Sequence, residues 1–231
     1  MGDDGTGGAG GPGEAGEVEK IGVSNGAGVG DGNDDGNGNG VGVGGLRPVY
    51  PIRTARLDLR PHRRDDLDDL CAFHSKPDVV RYIPWPVRDR EQTRVALEVK
   101  LGQGELAEPG QGLVLAAELR DTGTVIGEVL LKWASAADRQ GELGFAFDDR
   151  HHGRGLAYEA AAAMLDLGFA RLGLHRICAV CIDENQASAR LLARLGMTLE
   201  GRFVDSVLFK GAWASQLVFA IREDQWPSAA G

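Results

Sequence analysis

Hydrophobic and polar residues alternate with a period of two in several short stretches of the chain. This is the pattern of a β-strand with one buried face. The first such stretch starts at Ile52, places Leu57 and Leu59 between charged residues, and closes at Pro61. It predicts the first strand of a sheet.

A hairpin and a third strand are predicted in the middle of the chain. The runs 112–119 and 124–133 are rich in Val, Leu and Ile, and they flank Asp121-Thr122-Gly123, a strong turn signal. The next strand spans Glu142–Phe147. Its alternation predicts that Glu142, Gly144 and Ala146 lie on one face of the sheet and that Leu143, Phe145 and Phe147 lie on the other.

Apolar residues at near-helical spacing predict the helices. They are expected over 64–74, briefly from Pro77, and over 91–101, 154–172 and 187–195. Pro84-Trp85-Pro86 must interrupt the helix from Pro77, because proline cannot continue its hydrogen bonds. The helix over 154–172 is rich in alanine and ends at Gly173, and its small residues would let it lie close to a sheet.

The remaining strands are predicted at 175–182, 197–203 and 213–221. The resulting order of elements fits neither a Rossmann fold nor a TIM barrel, and no internal repeat is present. We therefore expect one α+β domain over 46–231, with a mixed, mostly antiparallel central sheet flanked by helices.

Composition separates the first 45 residues from this domain. They hold 19 of the 35 glycines, and eight acidic residues against one lysine. Too little apolar surface is present to offset the entropy of ordering such a segment, so residues 1–45 are expected to be disordered. This tail carries a net charge of −7 out of −9, which leaves the remainder nearly neutral.

Charge and hydropathy narrow the possible partners. A near-neutral domain without a basic run offers no field for a phosphate backbone, so nucleic acid is not expected as a partner. No apolar run approaches the length of a membrane span, and we expect no membrane association and a cytoplasmic, unexported protein. Cys71, Cys178 and Cys181 are an odd number of cysteines and are expected to be reduced thiols.

The sequence Arg150-His-His-Gly-Arg-Gly155 lies between a predicted strand and a predicted helix. Backbone N–H groups and the helix dipole make such a turn suitable for an anion, and glycines let the backbone approach a phosphate. Alone the pattern is weak, since a glycine turn before a helix needs no ligand. Adjacent His151 and His152 cannot both face one metal ion, and no carboxylate lies at ligand spacing, so no metal is expected.

The wider context of this turn resembles the GCN5-related N-acetyltransferase (GNAT) family over essentially all of residues 52–226. The resemblance is greatest to the branch of ribosomal-protein N-terminal acetyltransferases. It depends on the glycine turn together with Glu142-Leu-Gly-Phe, Tyr158-Glu-Ala, Asn185-Gln-Ala-Ser188, Leu195-Gly-Met, Glu200-Gly and Trp226. The family implies a GNAT-like fold and acetyl-CoA as co-substrate.

By this resemblance, the cofactor-binding residues follow the strand and the turn. Backbone groups of Phe145, Ala146 and Phe147 would hold the pantetheine arm like an added strand. The pyrophosphate would accept hydrogen bonds from backbone amides along the turn, namely those of Arg150, His152, Gly153, Arg154, Gly155, Leu156 and Ala157. Asn185 would hydrogen-bond the arm, although asparagine there is also a good helix N-cap, and the two roles are compatible.

Acetyl transfer to an amine requires a proton acceptor, because such amines are mostly protonated at neutral pH. Glu142 is the candidate, directly or through a water, with a structural ion-paired glutamate as the alternative. Many family members place a tyrosine acid where this chain has Leu192, and the resembling branch suggests Ser188 as its replacement. A second departure is Ser215, where relatives often have an aspartate, and its effect stays open.

The acceptor is expected to be a small-molecule or peptide primary amine, taken by a monomer or a homodimer. Tyr82 and Trp85 would line its pocket, with core packing as the alternative for at least one of them. The acidic run 65–69 could attract a cation, although such a run is usually a solvated face. The competing function is a non-catalytic acyl-CoA-binding or sensor module, made credible by Leu192.

Overall fold

The computed structural model describes residues 45–227. The expected disorder of the tail therefore concerns residues that lie outside this range, except for Gly45. The described residues form eight strands and five α-helices, joined by turns and loops. In chain order they are β1 (Ile52–Arg53), β2 (Leu57–Pro61), α1 (Leu67–His74), α2 (Pro77–Val80), α3 (Arg90–Lys100), β3 (Gly112–Leu119), β4 (Val125–Ser135), β5 (Gln140–Phe147), α4 (Leu156–Asp166), β6 (Arg176–Ile182), α5 (Gln186–Arg194), β7 (Thr198–Phe209) and β8 (Ala212–Arg222).

All eight strands form one sheet in the order β1-β2-β3-β4-β5-β6-β8-β7. Neighbouring strands are antiparallel except for β5 and β6, which are parallel. A parallel pair needs a crossover connection, and α4 supplies it. This confirms the predicted mixed, mostly antiparallel sheet flanked by helices.

Helices cover both faces of the sheet. Helices α4 and α5 lie on one face, where Leu143 and Phe147 of β5 join the larger apolar core. On the other face, Leu70 and Phe73 of α1 pack with Leu97 of α3 in a smaller core. The alternation predicted for 142–147 is confirmed, because the side chains of Leu143 and Ala146 belong to cores on opposite faces.

Helix α4 lies close to the sheet, as its small residues predict. A Cβ atom added at Gly168 would come within 2.6 Å of Ile177 Cδ1, so a larger residue there would have to displace that side chain. The predicted start at Arg154 is two residues early, because Gly155 has a φ of 78° and is the N-cap. Leu167–Arg171 continues the element as a π-helix.

Two strand predictions needed correction. The stretch from Ile52 forms two strands rather than one, because the hydroxyl of Thr54 bonds both the N–H and the C=O of Leu57 and turns the chain. The strand predicted at 197–203 continues to Phe209. It passes through a bulge after Phe203 and keeps pairing with β8 beyond it.

The acidic run 65–69 is only partly a solvated face. Asp66 is buried and forms two hydrogen bonds with Arg60, at 2.7 and 2.9 Å, and Asp69 accepts a hydrogen bond from Val125 N. Asp68 is exposed and pairs with Arg90. Two of the four aspartates therefore stabilise the fold and are unavailable to a cation.

Candidate active site

A cleft opens where β5 and β6 part. Among the described residues their ladder joins only Gln140–Glu142 to Arg176–Cys178, although both strands continue beyond it. The edge of β5 after Glu142 therefore faces the cleft rather than a neighbouring strand. Both strands, the segment after α2, and α5 line the cleft, through Tyr82, Ile83, Leu143, Gly144, Phe145, Ala179, Val180, Cys181, Asn185, Ser188 and Leu192.

The glycine turn lies at the end of β5, next to this cleft. Gly153 and Gly155 have φ angles of 74° and 78°, in the left-handed region that other residues rarely adopt. Helix α4 starts directly after them and has no side-chain cap. Its first intrahelical bond runs from Glu159 N to Gly155 O, so the amides of residues 156–158 have no partner within the helix.

The donors available to an anion are fewer than the sequence suggested. Arg150 N donates to the Asp148 carboxylate at 3.0 Å, and His152 N donates to Asp149 O at 3.1 Å. Arg150 and His152, both expected among the amide donors, are therefore already engaged. The His152 ring also lies 3.0 Å from Phe147 O. The amides of the turn that could still receive an anion thus begin at Gly153.

Glu142 closes the ladder between β5 and β6 and lies on the same sheet face as Gly144. Its side chain is 9% exposed, and Lys132 and Cys178 are its ladder partners. Burial, followed by the negative charge of Glu142, raises the pKa of the Cys178 thiol to about 11. This neighbouring thiol therefore stays neutral at physiological pH.

Asn185 and Ser188 lie at the start of α5. Asn185 is the N-cap, and its Oδ1 accepts a hydrogen bond from Ser188 N at 3.1 Å. The alternative of a helix cap is thus confirmed for Asn185. This bond uses the backbone N–H of Ser188 and the oxygen of Asn185, which leaves the Ser188 hydroxyl and the Asn185 amide NH2 for the cleft that both residues line.

The remaining candidates divide between cleft and core. Leu192 is 1% exposed and fills the position of the missing tyrosine at the cleft wall. Tyr82 is half-buried and lines the cleft. Trp85 is 5% exposed, does not line the cleft, and lies between the cations of Arg88 and Lys100. Core packing, the alternative left open by the sequence, describes Trp85.

Ser215 has a structural place that the sequence did not reveal. It is buried, and its hydroxyl accepts a hydrogen bond from Asp205 N at 3.1 Å. Asp205 lies in the β7 bulge and has a φ of 46°. Ser215 therefore stabilises the bulge in the β7–β8 hairpin.

Sequence reasoning missed Lys76 and Asp148, which support the turn from behind. Lys76 Nζ lies 2.7 Å from Asp148 Oδ1, and the Asp148 side chain is 2% exposed. Burial alone would raise the pKa of Asp148, but hydrogen bonds from Arg150 and Lys76 outweigh it and hold this pKa well below its usual range. The signal was a charged residue at the end of a buried strand, where an apolar one is usual.

The site fits a CoA thioester. An unpaired strand edge suits the amides of a pantetheine arm, and an uncapped helix N-terminus after two left-handed glycines suits a pyrophosphate. No group of three His, Cys, Asp or Glu side chains within residues 45–227 is arranged to hold a metal ion. None of the helices over this range is long and apolar enough to cross a membrane.

Comparison with known proteins agrees with this geometry. Residues 56–198 match the acetyltransferase (GNAT) domain family. The uncharacterised N-acetyltransferase YnaD of Bacillus subtilis is 31% identical over 76% of this chain and 98% of its own. The crystal structure of a GNAT-family acetyltransferase from Bacillus anthracis has a TM-score of 0.67 and 29% identity, over 75% of this chain and 98% of that one.

The chain therefore belongs to the GNAT acetyltransferase family, and it is an N-acetyltransferase that uses acetyl-CoA as co-substrate. A more distant relative is the ribosomal protein uS5-alanine N-acetyltransferase of Escherichia coli. It is 33% identical over 84 residues, which are 36% of this chain and 43% of that protein.

Proposed function

We propose that this protein acetylates a primary amine in the cleft between β5 and β6, with Glu142 and Ser188 as catalytic residues. The observation that carries the proposal is the position of Glu142, at the last residue pair before the two strands part. A thioester carried along the open β5 edge would end beside this carboxylate.

The cofactor is held by backbone more than by side chains. Backbone groups of Phe145–Phe147 bind the pantetheine arm as an added strand, because this edge faces the cleft. Amides from Gly153 to Ala157 bind the pyrophosphate, assisted by the positive end of the α4 dipole. The Asn185 amide NH2 donates to the arm from the opposite wall.

Acetyl-CoA supplies the activated acetyl thioester. Glu142, directly or through a water, accepts the proton that the acceptor amine must lose before its nitrogen can attack. The Ser188 hydroxyl donates a hydrogen bond to the departing sulfur. Because a serine hydroxyl is a weak acid, it stabilises the thiolate rather than protonating it fully, and Leu192 supplies no acid of its own.

The acceptor is a protein N-terminus or a small-molecule amine. The name of the Escherichia coli relative, an alanine N-acetyltransferase of ribosomal protein uS5, supports a peptide N-terminus. Tyr82 lines the acceptor side of the cleft from the segment after α2.

We place the protein in the cytoplasm. The three cysteines are all free, which supports this proposed location.

Buried Leu192 at the position of the usual acid is the one feature that would suit the alternative, a non-catalytic acyl-CoA-binding module, whereas the N-acetyltransferases among the relatives support an enzyme. Thiol release from acetyl-CoA separates the two functions when it is followed over a panel of peptide N-termini, polyamines and aminoglycosides. An enzyme releases thiol with at least one amine, whereas a module binds CoA and turns over none.

The same assay tests Glu142. Glu142→Gln keeps the shape of the side chain but cannot accept a proton, so kcat should fall by about 100-fold or more while the Kd for CoA is unchanged. Ser188→Ala should lower kcat by a smaller factor, since only a hydrogen bond is lost. Unchanged turnover in Glu142→Gln would remove Glu142 from the mechanism, and the exposed Glu108→Gln is the matched control.

A further inference from the structure

Asp148 lies behind the glycine turn as a buried hub. It follows the last residue of β5, and its own N–H donates to Ile126 O at 2.9 Å. Its carboxylate accepts from the backbone N–H and the guanidinium of Arg150, at 3.0 and 2.8 Å, and from Lys76 Nζ at 2.7 Å. A carboxylate that is 2% exposed thus fixes the start of the turn.

The two glycines of the turn make little packing contact of their own. A Cβ added at Gly153 would meet no atom within 4 Å, and one at Gly155 would meet only the end of Arg56 at 3.6 Å. Between the buried ends of the turn, polar bonds therefore hold it, through the Asp148 hub on one side and Arg56 Nη1 to Arg154 O on the other. Charge-assisted bonds to a buried carboxylate are strong enough for this.

Lys76 connects this hub to the acceptor side of the cleft. It is the N-cap residue of α2, and besides Asp148 its Nζ also reaches Asp149 Oδ1 at 2.5 Å. Directly after α2, Tyr82 and Ile83 line the cleft. At the other end of α2, Lys210 Nζ donates to Val80 O at 2.6 Å. The short helix is thus anchored at both ends, and one anchor is the support of the turn.

We infer that Lys76 and Asp148 are positioning residues, which hold the glycine turn where it receives the pyrophosphate and set its distance from the acceptor segment 81–83. This inference rests on the proposed function, since it assumes that the turn binds the pyrophosphate. Neither side chain needs to touch the cofactor, because both act through the backbone of Arg150 and through α2.

Binding of two ligands by the full chain tests the inference. Coenzyme A contains the pyrophosphate, whereas pantetheine contains the arm alone. Lys76→Met should weaken CoA by about tenfold, from loss of charge-assisted hydrogen bonds, and leave the inhibition constant of pantetheine unchanged. Lys76→Arg should restore most of the CoA affinity. Arg64→Met, which removes an exposed ion pair with Glu98, is the control and should change neither.

Steady-state kinetics supply a second readout. In Lys76→Met the KM for acetyl-CoA should rise more than kcat falls, because the reacting groups at Glu142 are untouched. Asp148→Asn should likewise raise the KM for acetyl-CoA more than it lowers kcat. It should also lower the melting temperature, since it removes the buried charge that pairs with Lys76 and Arg150. Lys76→Met carries the test if Asp148→Asn does not fold.

Two results with Lys76→Met would overturn the inference alone. Wild-type affinity for CoA in Lys76→Met would show that the lysine does not position the turn. An equal loss for CoA and for pantetheine would show a general effect on the fold. A wild-type chain that binds no CoA would contradict the proposed function itself, and this inference with it.

Discussion

Asn185 illustrates how a single residue can serve the fold and the site together. Its oxygen caps α5 through Ser188 N, and its NH2 group is available on the cleft side. Helix capping alone would have explained the asparagine. The two ends of one amide are chemically different, and for that reason the two roles can be tested separately.

Replacing Asn185 by Asp and by Ala separates them. Asp caps a helix as well as Asn does, so Asn185→Asp should keep its stability and yet bind CoA several-fold more weakly, because the NH2 donor is lost. Asn185→Ala should lose both the cofactor bond and about 1 kcal/mol of stability. Urea unfolding and calorimetric titration with CoA measure the two effects. Wild-type CoA affinity in Asn185→Asp would reduce this residue to a cap.

Single residues were predictable from the sequence where their surroundings are local. The capping role of Asn185, for example, follows from neighbours within four positions. The burial of Asp66 depends on Arg60, which an adjacent strand brings to it, and the support of the turn depends on Lys76, 72 positions away from Asp148. Contacts that only the folded chain brings about, such as these two, leave no periodic pattern in the sequence.

At the level of elements, the β5–turn–α4 unit is built around two glycines. Gly153 and Gly155 have positive φ angles with open space around them, so alanine at either position is strained without clashing badly. Gly123, in the turn between β3 and β4, has the same property, with a φ of 72° and no atom within 4 Å of an added Cβ. It lies outside the proposed cofactor site.

This match gives a controlled prediction. Gly123→Ala and Gly153→Ala should each cost about 1 kcal/mol of stability, since both place a Cβ in the left-handed region. Gly153→Ala alone should also weaken CoA binding, because strain moves the amides that face the pyrophosphate. The comparison requires unfolding curves and CoA titrations of both variants. Equal CoA affinities would place the pyrophosphate elsewhere.

Element boundaries were harder to predict than element types. The spacing of apolar residues identified α4, yet its first residue is decided by the φ of Gly155, which spacing does not encode. The local pattern predicted a strand that ends at Phe203, but the strand continues to Phe209 through a bulge that Ser215 stabilises. In both cases backbone geometry at one residue outweighed the local pattern.

Across the whole molecule, a buried charge cluster holds the sheet to the helices on the acceptor side. Glu128 of β4 is fully buried and lies 2.8 Å from Lys100 Nζ of α3, with His62 and His74 rings each 3.5 Å away. Burial would raise the pKa of Glu128, but the Lys100 charge and the neighbouring His74 ring outweigh it and hold the pKa below its usual range.

Acid should therefore destabilise the protein. A carboxyl whose pKa is lowered on folding contributes stability above its unfolded pKa, about 4.3, and loses that contribution as the pH falls. The free energy of unfolding should drop below about pH 5. Glu128→Gln should cost about 3–5 kcal/mol at pH 7, because it breaks the buried ion pair with Lys100, and should show a shallower loss in acid. Urea titrations from pH 7 to 3 test this, and parallel curves would contradict it.

The overall architecture was predictable because it follows from the order of elements. Strands flanking a crossover helix, preceded and followed by antiparallel runs, leave few arrangements of one sheet. The place where β5 and β6 part was not predictable from the residues alone, since both read as ordinary strands to their ends. It is seen only in the structure, where the ladder ends at Glu142 and Cys178.

That short ladder has a consequence for folding. It joins two portions of the sheet, β1–β5 and β6–β8, through three residue pairs, and the whole of α4 separates them along the chain. Closing such a long loop costs entropy before these contacts form, so the junction receives little local support. A bound pantetheine arm would extend the unfinished ladder. The co-substrate would then stabilise the junction between the two portions of the sheet. CoA should therefore raise the melting temperature as its concentration rises above Kd.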